Sequence, residues 1–355
     1  MNSRLVFDQA PRRVYWEVTR ACDLACRHCR ARASPEPEPG ELTTAEGLRL
    51  LDRLAAVAPP PQVVLTGGDP LKRRDLFALI GHARARGLGV SVAPSATPFL
   101  TLEAVAALKN AEVDAISLSL DGSNAARHDA LRCVSGCFDR TITAARAAAS
   151  VRLPFQINTL VCEETLDDLP AIHSLTVSLA AARWSLFFLV AVGRGTVLRQ
   201  ITPEACEHLL QWLADVAAAG RPVISTTEAP HFRRVALERK RSGSSEPRDL
   251  HDSTPHPAAG IRDGNGIMFI SHLGDVCPSG FLPLGAGNVR IDDPLRIYRE
   301  SVIFRSLRNA DLLGGRCGAC EYRWLCGGSR ARAFAATGDP LAEDPLCPYE
   351  PHRPR

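Results

Sequence analysis

The stretch Arg20-Ala-Cys22-Asp-Leu-Ala-Cys26-Arg-His-Cys29 decides how the rest of this chain is read. Three cysteines stand in the spacing C-x3-C-x2-C, directly after the apolar run 14–18. Three thiols cannot pair off among themselves, so disulfide logic does not account for them. One short loop can wrap three thiolates around a single inorganic centre, and soft thiolates select zinc, copper(I) or an iron–sulfur cluster. Structural zinc sites close with four protein ligands, and cubane [4Fe–4S] clusters usually take four cysteines. Three cysteines therefore suggest a cluster with one iron left open for another molecule.

The 355 residues are enough for one large α/β domain plus a smaller one. A net charge of +3 gives no reason to expect nucleic acid or a membrane surface as partner. Twelve cysteines are too few for a disulfide scaffold, and they gather toward the two ends, as metal ligands in a reducing compartment do. Residues 1–13 contain no apolar core of a signal peptide, and no apolar run reaches the ~18 residues of a membrane span. A cytoplasmic protein is expected.

Outward from the cysteine loop, short apolar runs alternate with helical patterns. Strands are expected at 14–18, 62–66, 88–93, 113–120, 155–161 and 184–190. Helices are expected at 44–57, 72–86, 101–109, 138–150, 166–179 and 203–219, with Thr43 or Thr44 and Thr202 as caps. Six strand–helix units in series imply a parallel sheet with helical crossovers, either doubly wound or a partial barrel. In both, chemistry belongs at the C-terminal strand ends. The polar punctuation falls there: the cysteine loop, Gly67-Gly68-Asp69, Pro94-Ser95-Ala96-Thr97, Asp121-Gly122, Asn158 and Gly193-Arg194-Gly195. The segment 240–257 is rich in Ser and Pro and reads as a linker or long loop. Beyond it, 266–270 and 275–277 suggest a hairpin around His272-Leu-Gly274.

The C-x3-C-x2-C loop after strand one of such a series resembles the radical S-adenosylmethionine (SAM) superfamily, over residues 12 to about 220. Thr66-Gly67-Gly68-Asp69-Pro70 resembles the glycine-rich motif that holds the SAM amino group, with Asp69 where the usual acid is Glu. Ser119-Leu-Asp121-Gly122, with His128, Asp129 and Arg132, resembles the block after strand four in members that carry a C-terminal cluster domain. The resemblance implies a partial (β/α)6 TIM-type barrel. It implies a [4Fe–4S] cluster on Cys22, Cys26 and Cys29, and SAM bound by its open iron. Thr66, Gly67, Gly68, Asp69, Ser119, Asp121 and Asn158 are the expected cofactor-binding residues. An electron from a low-potential donor such as a flavodoxin or ferredoxin would cleave SAM to a 5′-deoxyadenosyl radical, which takes a hydrogen atom from the substrate. The hard chemistry belongs to the cofactors.

A second group, Cys317-x2-Cys320-x5-Cys326 with Cys347 further on, satisfies either zinc or a cluster by spacing alone. Beside the first motif it resembles the SPASM or twitch extension of radical SAM enzymes, as does the block GAGNV at 285–289. That implies a second [4Fe–4S] cluster. A two-cluster extension would have further cysteines where Asp292 and Arg330 stand, so one auxiliary cluster is expected and Cys277 is left without partners. Cys133 and Cys137 read as small residues replacing others, and Cys162 and Cys206 as core thiols. The expected division is a barrel over 1–239, a linker over 240–257 and an auxiliary domain over 258–355.

Arg132, Arg194 and the pair Arg233-Arg234 near the strand ends are candidates for holding substrate carboxylates. The arrangement, including 266–290, resembles the haem-biosynthesis branch of the superfamily, which removes or oxidatively decarboxylates tetrapyrrole propionates. The alternatives are a ribosomal-peptide maturase and a non-enzymatic zinc or electron-transfer protein. Only 21 residues precede Cys22, too few for a peptide-recognition domain, and a carrier needs no open iron.

Overall fold

The computed structural model describes residues 7–242 and 260–352. The first span runs β1 (Arg13–Thr19), α1 (Thr44–Ala55), β2 (Gln62–Gly67), α2 (Leu76–Ala85), β3 (Val90–Val92), α3 (Leu102–Asn110) and β4 (Ala115–Ser119). It continues with α4 (Ala125–Arg132), α5 (Cys137–Ser150), β5 (Phe155–Val161), α6 (Leu169–Ser178), β6 (Arg183–Phe188), α7 (Pro203–Ala218), β7 (Val223–Thr227) and α8 (Phe232–Ser242). β1 to β7 lie side by side in chain order, each parallel to the last. Such crossovers share one hand, so a sheet that never reverses its order carries its helices on one face and curls as a barrel does. A doubly wound sheet needs a reversal of strand order within its strand–helix series, and β1 to β7 contain none.

The alternation along each strand sorts the two faces. Trp16, Leu65, Val92, Leu118, Ile157, Trp184 and Leu186 are buried to within 1 % of full and form the helix-facing core. The opposite face carries Glu17, Thr66, Ser91, Ser117, Ser119, Gln156, Asn158, Ser185 and Ser225. A period of two puts neighbours in sequence on opposite faces, so this polar set lines the concave side together. Helix α1 shows how the outer layer is fixed. Thr43 and Glu46 form a reciprocal capping box at its start, and Leu50, Leu51 and Leu54 are buried against the sheet. Each buried leucine is worth roughly 1.5–3 kcal/mol.

Six units were expected, and the sheet has a seventh, β7 with α8. Strand β7 is the sheet's edge, and Val223 is 46 % exposed. An edge strand needs few apolar residues, so its pattern is faint in the sequence. Helix α4, over a stretch for which the sequence pattern predicts no element, is capped by Asn124 Oδ1, which accepts from Arg127 N at 3.1 Å. Its apolar stripe is minimal because it buries His128 and Arg132.

The expected hairpin forms as β8 (Ile267–Ile270) and β9 (Asp275–Cys277), joined by β10 (Gly287–Asn288). β8 pairs in parallel with β1, so the C-terminal segment continues the barrel's own sheet in the order β10-β9-β8-β1. Four short helices follow: α9 (Pro294–Glu300), α10 (Val302–Arg308), α11 (Gly315–Ala319) and α12 (Arg330–Thr337). Of the expected linker 240–257, residues 240–242 belong to α8; the remainder lies outside the described residues. Among the described residues no helix is long and apolar enough to cross a membrane.

Candidate active site

The loop after β1 holds Cys22 and Cys26 at 5 % and 7 % exposure, with Cys29 half-buried. Each sulfur faces at least one hydrogen-bond donor. Leu24 N donates to Cys22 Sγ at 3.4 Å, Ala33 N to Cys29 Sγ at 3.4 Å, and Arg132 Nη1 to Cys26 Sγ at 3.7 Å. Donors on sulfur favour the thiolate, the form that binds metal. Burial pushes the Cys22 thiol up to about 11, so the loop carries thiolates when a metal's positive charge stabilises them.

Two expected ligands turn out to hold this loop in place. Arg132 pairs through Nη2 with Asp121 Oδ2. The other carboxylate oxygen, Oδ1, accepts from Leu160 N at 2.7 Å. Burial would raise Asp121, but the charge of Arg132 outweighs it and holds the carboxyl down at about 2. Asp121 was expected to bind cofactor and Arg132 substrate; each is committed to the other and, through Arg132, to Cys26. Both neighbouring histidines stay neutral, because burial lowers His28 and His128 to about 4. Arg194 is likewise engaged. Its Nε donates to Cys26 O and its Nη1 to Ala33 O, both at 2.9 Å. It ties the loop after β6 to the cysteine loop, where a clamp on substrate carboxylates had been expected.

The 66–69 turn lies against the same loop. Gly68 N donates to Thr19 O at 2.8 Å and Asp69 N to Ala21 O at 2.7 Å. A Cβ on Gly68 would stand 2.3 Å from Ala21 O, so only glycine permits this approach. The Asp69 side chain is fully buried, accepting from Thr97 Oγ1 at 2.5 Å, Leu71 N at 3.1 Å and Ser95 N at 3.2 Å. Burial raises its carboxyl in spite of these donors. Asp69 therefore shapes the turn, with both carboxylate oxygens accepting hydrogen bonds from the protein itself. The stretch 94–97 after β3 supplies two of those donors, Ser95 N and Thr97 Oγ1, and Ser95 Oγ also donates to Gly68 O at 2.7 Å. Across the concave face Ser119, Asn158, Ser185 and Ser225 fall in one register row. Ser119 and Asn158 thus stand together, half-buried, on the polar wall facing the barrel interior.

Cys317, Cys320, Cys326 and Cys347 line one small cavity with His231, Arg234, Tyr322 and Asp344. The same local turn recurs here: the amide two residues on donates to sulfur, from Tyr322 to Cys320 and from Gly328 to Cys326, both at 3.4 Å. Asp344 N at 3.4 Å and Arg330 Nη2 at 3.6 Å donate to Cys317. A Cβ on Gly328, whose φ is +64°, would lie 2.5 Å from Arg330 Nη2 and 3.0 Å from Cys317 Sγ. Among the described residues no three His, Cys, Asp or Glu side chains converge tightly enough to hold a single metal ion. Four cysteines around one cavity, with donors on the sulfurs of Cys317, Cys320 and Cys326, make a thiolate set that fits a [4Fe–4S] cluster.

Sequence reasoning passed over Gly327-Gly328, although a Gly-Gly pair directly after a cysteine was a visible signal. It also missed Arg262, Arg330 and Arg332 as neighbours of this group, and named Arg233 and Arg234 only as candidates for substrate carboxylates. All twelve cysteines are free. Cys277, Cys162 and Cys206 are buried, and Cys206 Sγ lies 3.2 Å from His231 Nε2. Cys133 caps α4 in the left-handed conformation, and Cys137 begins α5.

A parallel open barrel with a three-cysteine loop at the end of its first strand defines an enzyme built around a cluster and SAM. Residues 16–176 match the family model described as "Radical SAM superfamily". The chain is similar from end to end to the AdoMet-dependent heme synthase of Methanosarcina barkeri, with 37 % identity over 98 % of this chain and 99 % of that one. It is similar also to the AdoMet-dependent heme synthase of Nitratidesulfovibrio vulgaris, with 39 % identity over 96 % and 93 %. The fold matches the crystal structure of Streptococcus suis SuiB bound to S-adenosylmethionine, with a TM-score of 0.74 and 17 % identity, over 96 % of this chain and 78 % of that one. The chain belongs to the radical SAM superfamily, whose cofactors are SAM and [4Fe–4S] clusters.

Proposed function

We propose that this enzyme oxidatively decarboxylates propionate side chains of a tetrapyrrole in haem formation. The observation that carries the reading is the end-to-end similarity to the AdoMet-dependent heme synthases, which spans both cysteine groups. In this reading Cys22, Cys26 and Cys29 hold the SAM cluster. Cys317, Cys320, Cys326 and Cys347 hold an auxiliary cluster in a SPASM or twitch-type segment. Bound SAM and its cluster supply a carbon radical that removes one hydrogen atom from the substrate.

The chain's own part is positioning. Arg132 and Arg194 fix the cysteine loop from two sides. The 66–69 turn, braced by Ser95 and Thr97, offers its backbone beside that loop. The polar wall from Thr66 through Ser119 and Asn158 to Ser185 gives a hydrogen-bonding lining for SAM and for a polar substrate, while the apolar outer layer closes the barrel to water. A flavodoxin or ferredoxin is the proposed electron source.

Anaerobic reconstitution tests the reading. The expected result is about eight irons per chain, dithionite-dependent formation of 5′-deoxyadenosine, and loss of CO2 plus two hydrogens from each processed propionate, read by mass spectrometry. SAM cleavage that never alters an iron tetrapyrrole, but modifies a supplied peptide, overturns the substrate assignment. SAM cleavage that survives alanine at Cys22, Cys26 and Cys29 overturns the cluster assignment.

A further inference from the structure

The two cysteine groups differ in how the buried arginines beside them are paired. Around the N-terminal group the charges balance. Arg132 pairs with Asp121, Arg30 pairs with Glu17 at 2.7 Å, and half-buried Arg194 shares the loop with buried Asp69. Around the C-terminal group three buried arginines lack a direct ion pair: of the nearby carboxylates, Asp344 pairs with Arg332, and Asp263, whose charge acts on Arg262 from beyond ion-pair distance, accepts from Ala331 N. Arg262 and Arg330 are 4 % and 0 % exposed. Arg330 donates to Pro340 O at 3.0 Å, Ala342 O at 2.6 Å and Cys317 Sγ. Arg262 donates to Gly260 O at 3.3 Å and Leu307 O at 3.1 Å, and its Nε is buried without a partner. Arg233 donates to Leu325 O at 3.2 Å and Ile261 O at 2.5 Å. Among the described residues no carboxylate stands within 4.0 Å of any of these three guanidinium groups, whereas Arg332 has Asp344 at 3.2 Å.

The three cations crowd one another. Burial and the charges of Arg330 and Arg233 push the Arg262 guanidinium down to about 10. The side chain of Arg262 packs under Gly327, where a Cβ would meet its Cδ and Nε at 3.0 Å, and Gly328 opens the path from Arg330 to Cys317. Glycines at both positions after Cys326 thus let two cations reach the cysteine group. Uncompensated buried charge is costly, and four thiolates around a cluster are the counter-charge the site supplies. Reduction adds one more negative charge to such a cluster, so nearby cations and donors to its sulfurs favour the reduced form.

We propose, on the reading that Cys317, Cys320, Cys326 and Cys347 hold a [4Fe–4S] cluster, that Arg330, backed by Arg262 and Arg233, raises the potential of that cluster above that of the N-terminal one and makes it the electron acceptor of the reaction. The electron comes from the substrate. Once the carbon next to the ring has lost a hydrogen atom, the bond to the carboxylate carbon breaks. CO2 leaves, a carbon–carbon double bond forms, and one electron remains to be placed. Arg330 is a positioning residue: it touches a ligand sulfur, not the substrate.

The test is an EPR-monitored redox titration of the reconstituted full chain with Cys22, Cys26 and Cys29 replaced by Ala, so that only the C-terminal cluster reports. At the potential where this parent is half reduced, R330Q lowers the ratio of reduced to oxidised cluster by about tenfold, the scale of one charge-assisted hydrogen bond. R330K, which keeps the charge, restores most of it. R262Q, which removes a cation without touching a sulfur, lowers the ratio in the same direction and serves if R330Q fails to hold iron. An unchanged ratio in a four-iron R330Q or R262Q chain overturns the inference while leaving the auxiliary cluster standing. Zinc, or no iron, in the parent's C-terminal group overturns the cluster reading itself.

Discussion

Arg132 Nη1 stands 3.7 Å from Cys26 Sγ, and through its other amino group the same guanidinium pairs with Asp121 at the end of β4. The end of β4 is thereby tied to the loop after β1 through one buried cation. Arg132 is 9 % exposed and Asp121 2 % exposed, so neither charge is relieved by water.

Removing that cation alone leaves a buried carboxylate unpaired. We expect R132Q to cost about 3–5 kcal/mol of stability, measured by anaerobic urea unfolding. D121N combined with R132Q should cost less than the two single changes summed, since the double variant strands no charge. Additive costs would show that the two residues do not act as a pair.

Gly68→Ala should displace the cysteine loop, because the new Cβ would sit 2.3 Å from Ala21 O. The expected outcome is a several-fold loss of iron from the N-terminal group, while the C-terminal group keeps its iron. Gly81→Ala, in α2 with nothing within 4 Å of the new Cβ, is the control. It should leave iron content unchanged and stabilise the helix by roughly 0.5–1 kcal/mol. Equal iron in the two variants would remove the steric argument.

His272, at the turn of the β8–β9 hairpin, has Glu17 Oε1 at 2.7 Å and Glu38 Oε2 at 3.0 Å. Burial would lower the imidazole, but these two partners outweigh it and raise it above 6.5. Its contribution is therefore full below about pH 6.5 and is lost as pH rises through the raised value. Glu17 is held below 4.5 by His272 and Arg30 against the opposing effect of burial, so its contribution is lost on acidification. The difference in Tm between wild type and H272Q should be widest between these limits and shrink toward pH 9. A gap that widens with pH would contradict the sign.

Glu228, after β7, accepts from Ser329 Oγ at 2.5 Å. Burial first, then the charge of Asp263, raises its carboxyl well above 4.5. The protonated form is the one the fold holds, so its contribution is greatest at low pH and declines as pH rises toward the raised value. E228Q, a permanent mimic of that form, should match wild type near pH 5 and exceed it in stability near pH 8. Loss of stability at both pH values would show that Glu228 is held as an anion.

Much of the fold was legible because local patterning and tertiary burial agree. The two-residue period of Ala115–Ser119 and the capping box at Thr43 and Glu46 depend on neighbours in sequence. Strand β7 and helix α4 were not legible, since one lies at the sheet edge and the other buries His128 and Arg132 on its inner side. The candidate site divided along the same line. Its two cysteine groups and the Gly67-Gly68 turn could be read from spacing. The work of its charged residues could not, because a charged side chain's role depends on which opposite charge reaches it.

By itself the sequence determined the strand–helix series, the two thiolate groups and the turn that must be glycine, all consequences of spacing within a few residues. Only the tertiary structure decided that Asp121, Arg132 and Arg194 brace the cysteine loop, and that β8 joins the barrel beside β1. It alone left Arg233, Arg262 and Arg330 hydrogen-bonded to carbonyls and sulfur, with no carboxylate within 4.0 Å among the described residues. Coulomb energy in a buried site depends on distances across the fold, and residues far apart in the chain set those distances.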